Sequence, residues 1–148
     1  MLLNITTDRP SVRASVLSYP LGLWMMMAVV AISNGIVRET LLIPRVGEYI
    51  GHVVSTAILI TAILVLSYAY FKKSSIDYTQ SELLLIGVLW VVLTVGFEFL
   101  IGYLEGIPVS ETLAQYNVFA GYVWIFVPLT LLVAPLLFGS YLLTHRGP

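Results

Sequence analysis

Most side chains that could do chemistry lie near the ends of apolar stretches. Glu98 is the clearest case, because it is the only carboxylate well within such a stretch, five residues before Tyr103. At the rise of an α-helix, it would lie roughly 8 Å inside the helix end. An ionisable group inside a membrane is costly unless paired, so it usually marks a site. Glu98 could therefore carry a proton or a cation, or it could be the partner of an arginine.

Further polar residues are predicted at the same level of the membrane, close to its outer face. Glu48 and His52 are four residues apart and would share a helix face. Arg38 or Arg45 could pair with Glu98. The candidate ion- or substrate-binding residues are Glu98, His52, Arg38, Glu39, Glu48, Asn34, Asn117 and Tyr116. The cluster is compatible with an ion-pair network that closes the bundle, a binding or translocation site, or an enzyme site.

Several kinds of chemistry find no support in the sequence. There is no cysteine, which excludes disulfides and thiolate metal sites. The two histidines, His52 and His145, are predicted on opposite sides of the membrane, so one chain could not supply a bis-histidine haem pair. A metal held by His52, Glu48 and Glu98 fits in composition but is not favoured. Hydrolase, phosphate-loop and dinucleotide motifs are not found. We therefore expect no catalytic residue, metal or cofactor, and the net charge of −1 indicates no nucleic-acid partner.

The composition is that of a membrane protein. Of the 148 residues, 59% are hydrophobic and 10% are charged, and the mean hydropathy is +0.96. Soluble domains carry about 25% charged residues. A membrane-spanning helix needs about 20 mostly apolar residues, and four stretches qualify, at about 16–36, 49–71, 83–103 and 118–143. We predict an all-α integral membrane bundle of four transmembrane helices, with residues 1–148 forming a single domain.

The basic residues predict the orientation of the chain. Five of them flank the cytoplasmic side of this arrangement, and only Arg38 and Arg45 lie in the two opposite loops. The positive-inside rule then places both termini in the cytoplasm of a multi-pass cell-membrane protein. The first apolar stretch is longer than a signal peptide requires, so we expect it to be retained. The five residues are Arg9, Arg13, Lys72, Lys73 and Arg146.

Small residues repeat at intervals of four, as in close helix contacts. Gly47, Gly51 and Ser55 are one such set, and Gly102 and Gly106 are another. The spacing is typical of packing within one chain and also of contacts between copies. We expect the lipid bilayer as a partner, together with either further copies of the chain in a homo-oligomer or other proteins of a membrane complex.

Two motif groups resemble an uncharacterised family of small prokaryotic four-helix membrane proteins over about residues 20–140. The first is Asn34-Gly35-x-x-Arg38-Glu39, followed by Pro44-x-x-Gly47 and His52. The second is Tyr116-Asn117-x-x-x-Gly121-x-x-Trp124 with Ala134-Pro135. The resemblance implies a four-helix membrane fold and no activity. The family often has an arginine after the glycine of the second motif, where this chain has Tyr122.

The function that the sequence favours is a small transporter or channel with a polar site near the outer membrane face. An accessory or structural subunit of a larger membrane complex is the alternative, because the chain is small and has no catalytic motif. A lipid-modifying membrane enzyme is less favoured. Such an enzyme would need a lipid-sized cleft lined by Glu98 and His52.

Overall fold

The computed structural model describes residues 13–144, which are helical with short connections and contain no strand in that range. Arg9, His145 and Arg146, which entered the sequence argument, lie outside the described residues. A short 3₁₀ turn, Ala14–Leu17, precedes the first α-helix. A second 3₁₀ turn, Val118–Ala120, and two π-helical segments, Arg38–Leu42 and Pro135–Gly139, lie between later α-helices. The α-helices are α1 (Ser18–Val37), α2 (Ile43–Val46), α3 (Glu48–Lys73), α4 (Gln80–Leu104), α5 (Val109–Ala114), α6 (Phe126–Ala134) and α7 (Ser140–Thr144).

Three helical stretches are long and apolar enough to cross a membrane. They are Ser15–Val46 with 32 residues, Glu48–Lys73 with 26 and Gln80–Leu104 with 25. Each exceeds the roughly 20 residues that span a hydrocarbon core. Much of their surface is exposed and apolar, as expected where lipid is the solvent. The chain is thus an all-α protein with the composition and helix lengths of a membrane protein.

The first helical stretch continues further than predicted. Residues 37–48 were expected to form a loop, but the chain remains helical through Val46 and turns only at Gly47. Gly47 has φ +87°, a conformation that other residues rarely adopt. The turn lays α2 against α3 so closely that a Cβ at Gly51 would lie 2.9 Å from Ile43 Cγ1. This helical hairpin places Arg38 and Glu39 on a helix instead of a mobile loop.

The last apolar stretch begins later than predicted. The sequence suggested one helix over 118–143, but Gly121 takes a left-handed conformation, and α6 begins at Phe126. From there a helical run of 17 residues, Phe126–Leu142, includes the π-helical segment that Pro135 opens. Proline has no backbone N–H, so the regular α-helical hydrogen-bond pattern is interrupted there. This run is shorter than the three long helices.

The helices pack side by side around an apolar core in the order α1, α3, α6 and α4. Trp90, Ile86 and Leu83 of α4 are completely buried in this core. The closest approach is between α4 and α6, because Gly87 lies directly against the backbone of Leu132. Among the small residues that the spacing singled out, Gly51 lies against Ile43 and Gly102 against Thr112, so both serve contacts within the chain.

Two tryptophans bridge α1 and α4. Trp90 Nε1 donates to the carbonyl of Pro20 at 2.9 Å, and its side chain is completely buried. Trp24 Nε1 donates to Thr94 Oγ1 at 2.9 Å. Its ring also packs edge-on against Phe97, with centroids 6.3 Å apart. These side chains join the two helices where their backbones approach less closely.

Candidate functional site

Glu98 is held by two neutral donors from the segment that follows α4. Trp124 Nε1 donates to Glu98 Oε2 at 2.9 Å, and the Tyr116 hydroxyl donates to the same oxygen. Tyr116 was among the predicted candidates, whereas Trp124 was not. Trp and Tyr are amphipathic, and buried examples usually find a hydrogen-bond partner. The half-buried carboxylate of Glu98 needs hydrogen-bond donors, and this need was the available signal that Tyr116 and Trp124 contact it.

Local backbone geometry brings these donors to Glu98. Gly106, with φ +73°, ends the turn after α4 and reverses the chain. Helix α5 then returns along the end of α4, where a Cβ at Gly102 would lie 3.1 Å from Thr112 Oγ1. The close approach leaves Thr112 buried. The chain after α5 therefore passes beside Glu98, which lies six residues before the end of α4 at Leu104.

The second carboxylate oxygen of Glu98 is open. Both hydrogen bonds go to Oε2, and no described residue donates to Oε1. Among residues 13–144, Ser67 Oγ is the one fully buried side-chain nitrogen or oxygen without a hydrogen-bond partner, so Oε1 is not fully buried. Glu98 itself is half-buried. The carboxylate thus has one oxygen fixed by the protein and one available to an ion or a proton.

The expected ion pair between Glu98 and an arginine is not found. Arg38 Nε pairs with Glu39 Oε1 at 3.1 Å, on the surface of the helical extension. Arg45 Nη1 donates to the carbonyl of Leu41 at 2.9 Å. No ion pair reaches Glu98 from any residue between 13 and 144. The arginines lie on the α1–α2 extension, where their nearest partners are local, whereas Glu98 is taken by the chain after α5.

Tyr116 remains a hydrogen-bond donor over the physiological pH range. Burial raises the pKa of its hydroxyl well above the usual value, and the contact with Glu98 raises it further. An uncharged phenol beside a carboxylate donates a hydrogen bond and does not repel a negative charge. Tyr116 and Trp124 can therefore stabilise a negative charge on Glu98 without supplying an opposite charge.

Asn34 makes a contact between helices. Its Nδ2 donates to Ser55 Oγ at 2.8 Å and to the Ser55 carbonyl at 3.0 Å. Ser55 is buried and belongs to the small-residue series of α3. This pair joins α1 to α3, so the structure gives Asn34 a role in packing at this level of the bundle.

The other candidates do not converge on Glu98. Glu48 is exposed and His52 is half-buried on α3, and no hydrogen bond joins the two within the described chain. The side chain of Asn117 accepts a hydrogen bond from the Phe119 backbone at 3.1 Å and so caps a 3₁₀ turn. The fold brings Tyr116 and Trp124 to Glu98, whereas Arg38, Glu39 and Glu48 lie within electrostatic range of His52 as a separate group.

A second polar cluster, which the sequence argument missed, lies at the opposite end of α4. Glu82 is completely buried and accepts hydrogen bonds from Arg13 Nε at 2.8 Å and Arg13 Nη2 at 3.0 Å. Its side chain also bonds the Thr79 backbone, completing a capping box. Arg13 reaches the carbonyl of Asp77 as well, at 2.7 Å. The spacing Thr79-x-x-Glu82 before an apolar run was the available signal.

The described residues contain no group of three or more His, Asp or Glu side chains placed to hold a metal ion. Two apolar grooves open on the surface, one beside Leu64 and Leu129 and one beside Leu23 and Leu66. Neither groove includes Glu98 or His52, which a lipid-modifying enzyme of the expected kind would require.

Comparisons with known protein families, with curated proteins and with solved structures found no match to this chain. Its functional assignment therefore depends on its own residues. Among them, Glu98 with its two neutral donors is the arrangement with the clearest chemistry.

Proposed function

We propose that the chain crosses the cell membrane four times, with both termini in the cytoplasm. Trp124 bonds Glu98 at one end of α4, and Ser140 bonds Gln80 at the other. The run between Trp124 and Ser140 thus extends along 18 residues of α4, or about 27 Å, close to the thickness of a hydrocarbon core of about 30 Å. The excess of basic residues at the termini and at the end of α3 supports the orientation.

In this proposal the protein is a small transporter or channel, and Glu98 is its proton- or cation-binding group. The observation that carries the proposal is the open oxygen Oε1 on a carboxylate without a cationic partner in the described chain. A charge within a spanning segment is costly unless it is compensated. Binding a proton or a cation at Oε1 would compensate it, while Tyr116 and Trp124 hold the other oxygen in place.

The route of the ion is proposed to lie between copies of the chain. Trp90, Ile86 and Leu131 fill the space between the helices, so the centre of the part of one copy that the structure describes is apolar and filled. The outer surfaces of the helices remain exposed and apolar. A homo-oligomer would place copies side by side, and Glu98 would then face the interface between them.

Proton flux into proteoliposomes containing a pH-sensitive dye tests this proposal. We expect Glu98→Gln to abolish flux. The amide is uncharged, so it does not attract a cation as a carboxylate does, and it neither takes up nor releases a proton at physiological pH. Glu105→Gln is the matched control, since Glu105 is an exposed carboxylate at the end of the same helix. Flux that is equal in the wild type and Glu98→Gln would refute the role of Glu98.

A second candidate function is that of an accessory subunit in a larger membrane complex. The filled core favours it, and so does a continuous apolar face on α1 that includes Met25, Val29, Ile32 and Ile36. Native mass spectrometry after gentle extraction separates the two functions. A homo-oligomer agrees with a transporter, whereas stoichiometric co-purification of other membrane proteins, with no flux from the isolated chain, favours the subunit.

A further inference from the structure

A surface groove lies between α1 and α3, at the opposite end of the bundle from Glu98. Its volume is about 330 Å³. The lining combines apolar side chains with one cation at the helix end. The lining residues are Leu23, Leu66, Ala69, Tyr70, Lys73 and Ser74. None of them belongs to the Glu98 site.

The groove has a fixed wall and an apolar floor. The Tyr70 hydroxyl is hydrogen-bonded to that of Tyr78, which in turn donates to the carbonyl of Val16 at 3.4 Å. The ring of Tyr70 is also packed edge-on against Phe71, with centroids 5.1 Å apart. Leu23, Leu66 and Ala69 are half-buried along the floor. This shape is preformed, since the aromatic wall is held by contacts outside the groove.

The two lysines that end α3 differ in their surroundings. Lys72 lies over the ring of Tyr68, with Nζ 5.5 Å from the ring centroid. Lys73 lines the groove, is exposed, and forms no ion pair with any residue from 13 to 144. Lysines at this position extend their charge to the membrane surface while their stems lie along apolar surface. The groove therefore has an apolar interior and a positive charge at its membrane-surface end.

We propose that this groove binds an anionic phospholipid from the leaflet on the side of Lys73. One acyl chain would lie along Leu23, Leu66 and Ala69, and the headgroup phosphate would contact the Lys73 ammonium. Charge complementarity favours this occupant. The groove is apolar and ends in a cation that forms no ion pair with the described residues, and an anionic lipid has an acyl chain that ends in a negatively charged headgroup. A zwitterionic lipid would fill the same groove with weaker attraction to the lysine.

Native mass spectrometry of the intact protein, titrated with phosphatidylglycerol and phosphatidylcholine of identical chains, tests the proposal. We expect phosphatidylglycerol to bind more tightly, and Lys73→Gln to weaken it about fivefold, the factor that one lysine near an anionic surface supplies. Lys72→Gln is the matched control and should change affinity less. Ala69→Phe fills the floor of the groove, so it should weaken both lipids.

Three outcomes would overturn the proposal. Equal affinity for the two lipids would remove the role of charge. Equal losses in Lys73→Gln and Lys72→Gln would show diffuse attraction without a site. A protein dimer that Ala69→Phe dissociates, with lipid binding unchanged, would identify the occupant as a second copy. Circular dichroism of each variant verifies that helix content is retained, and the outcome is independent of flux through Glu98.

Discussion

Replacing Gly87 by alanine tests the closest helix contact in the fold. A Cβ at this position would lie 2.5 Å from the carbonyl oxygen of Leu132 and 3.2 Å from its Cα. The obstacle is the backbone of α6, which cannot rotate aside as a side chain can. Ordinary van der Waals contact begins at 3.4 Å, so α4 and α6 would have to separate by about 0.9 Å.

This separation sets the expected loss of stability. Both helices carry fully or nearly fully buried core residues next to the contact, including Trp90 and Leu131. Parting them loosens that packing, and overpacked sites in protein cores typically lose about 1–3 kcal/mol. We expect Gly87→Ala to lower the free energy of unfolding by an amount in this range.

Two other glycines provide a graded comparison. Gly96 lies on the same helix and has no atom within 4 Å of its ideal Cβ. Gly96→Ala should be neutral or stabilising, since alanine favours a helix over glycine by up to about 1 kcal/mol. Gly139→Ala should fall between the two, because the nearest atom is Leu83 Cδ2, the end of a side chain that can rotate, although it lies as close to the added Cβ as the Leu132 backbone does at Gly87.

Unfolding by dodecyl sulfate in mixed micelles, followed by circular dichroism, measures these differences. The expected order of stability is Gly96→Ala, then Gly139→Ala, then Gly87→Ala. If Gly87→Ala were as stable as Gly96→Ala, this result would contradict the close contact between α4 and α6. It would also contradict the placement of α6 in the core.

Three further predictions concern polar groups. Arg13→Gln should lower the melting temperature more than Glu82→Gln. Arg13→Gln leaves the buried Glu82 carboxylate without its cation, whereas in Glu82→Gln water can solvate the half-exposed Arg13 guanidinium. The reverse order would contradict this ion pair. Asn34→Leu should cost about 1 kcal/mol in the same unfolding assay, as for hydrogen bonds between membrane helices, and no loss would exclude the bond to Ser55. Burial raises the pKa of Tyr78 above its usual 10.0. The stability that the uncharged hydroxyl contributes is therefore present below pH 10 and is lost as the pH rises further. Tyr78→Phe should reduce the fall in melting temperature at alkaline pH, and an unchanged fall would show that other groups cause it.

The sequence predicted the middle of the fold well. The spans expected at 49–71 and 83–103 correspond to Glu48–Lys73 and Gln80–Leu104. Each is an uninterrupted apolar run with few polar neighbours, so hydropathy alone indicates where the helix begins and ends. The other two elements differ because their ends depend on local backbone chemistry. Gly121 turns the chain before α6, and Gly47 ends a first helix that continues past its apolar run.

The candidate site was only partly predictable. Glu98 could be identified from the sequence, because a carboxylate within an apolar run is unusual wherever the helix faces. Its partners could not, since opposite charge suggested Arg38 or Arg45, and the fold supplies Tyr116 and Trp124. Those donors come from a reversal of the chain after α4.

The amino-acid sequence alone determined that this protein is helical, apolar and suited to a membrane, because these properties follow from the composition of continuous runs. Only the tertiary structure decided which polar groups meet. These helices are apolar on all sides, so their sequences do not indicate how each is rotated in the bundle. Close contacts such as Gly87 with Leu132 determine that rotation. It leaves Glu98 with one bound and one open oxygen, and it buries Glu82 against Arg13.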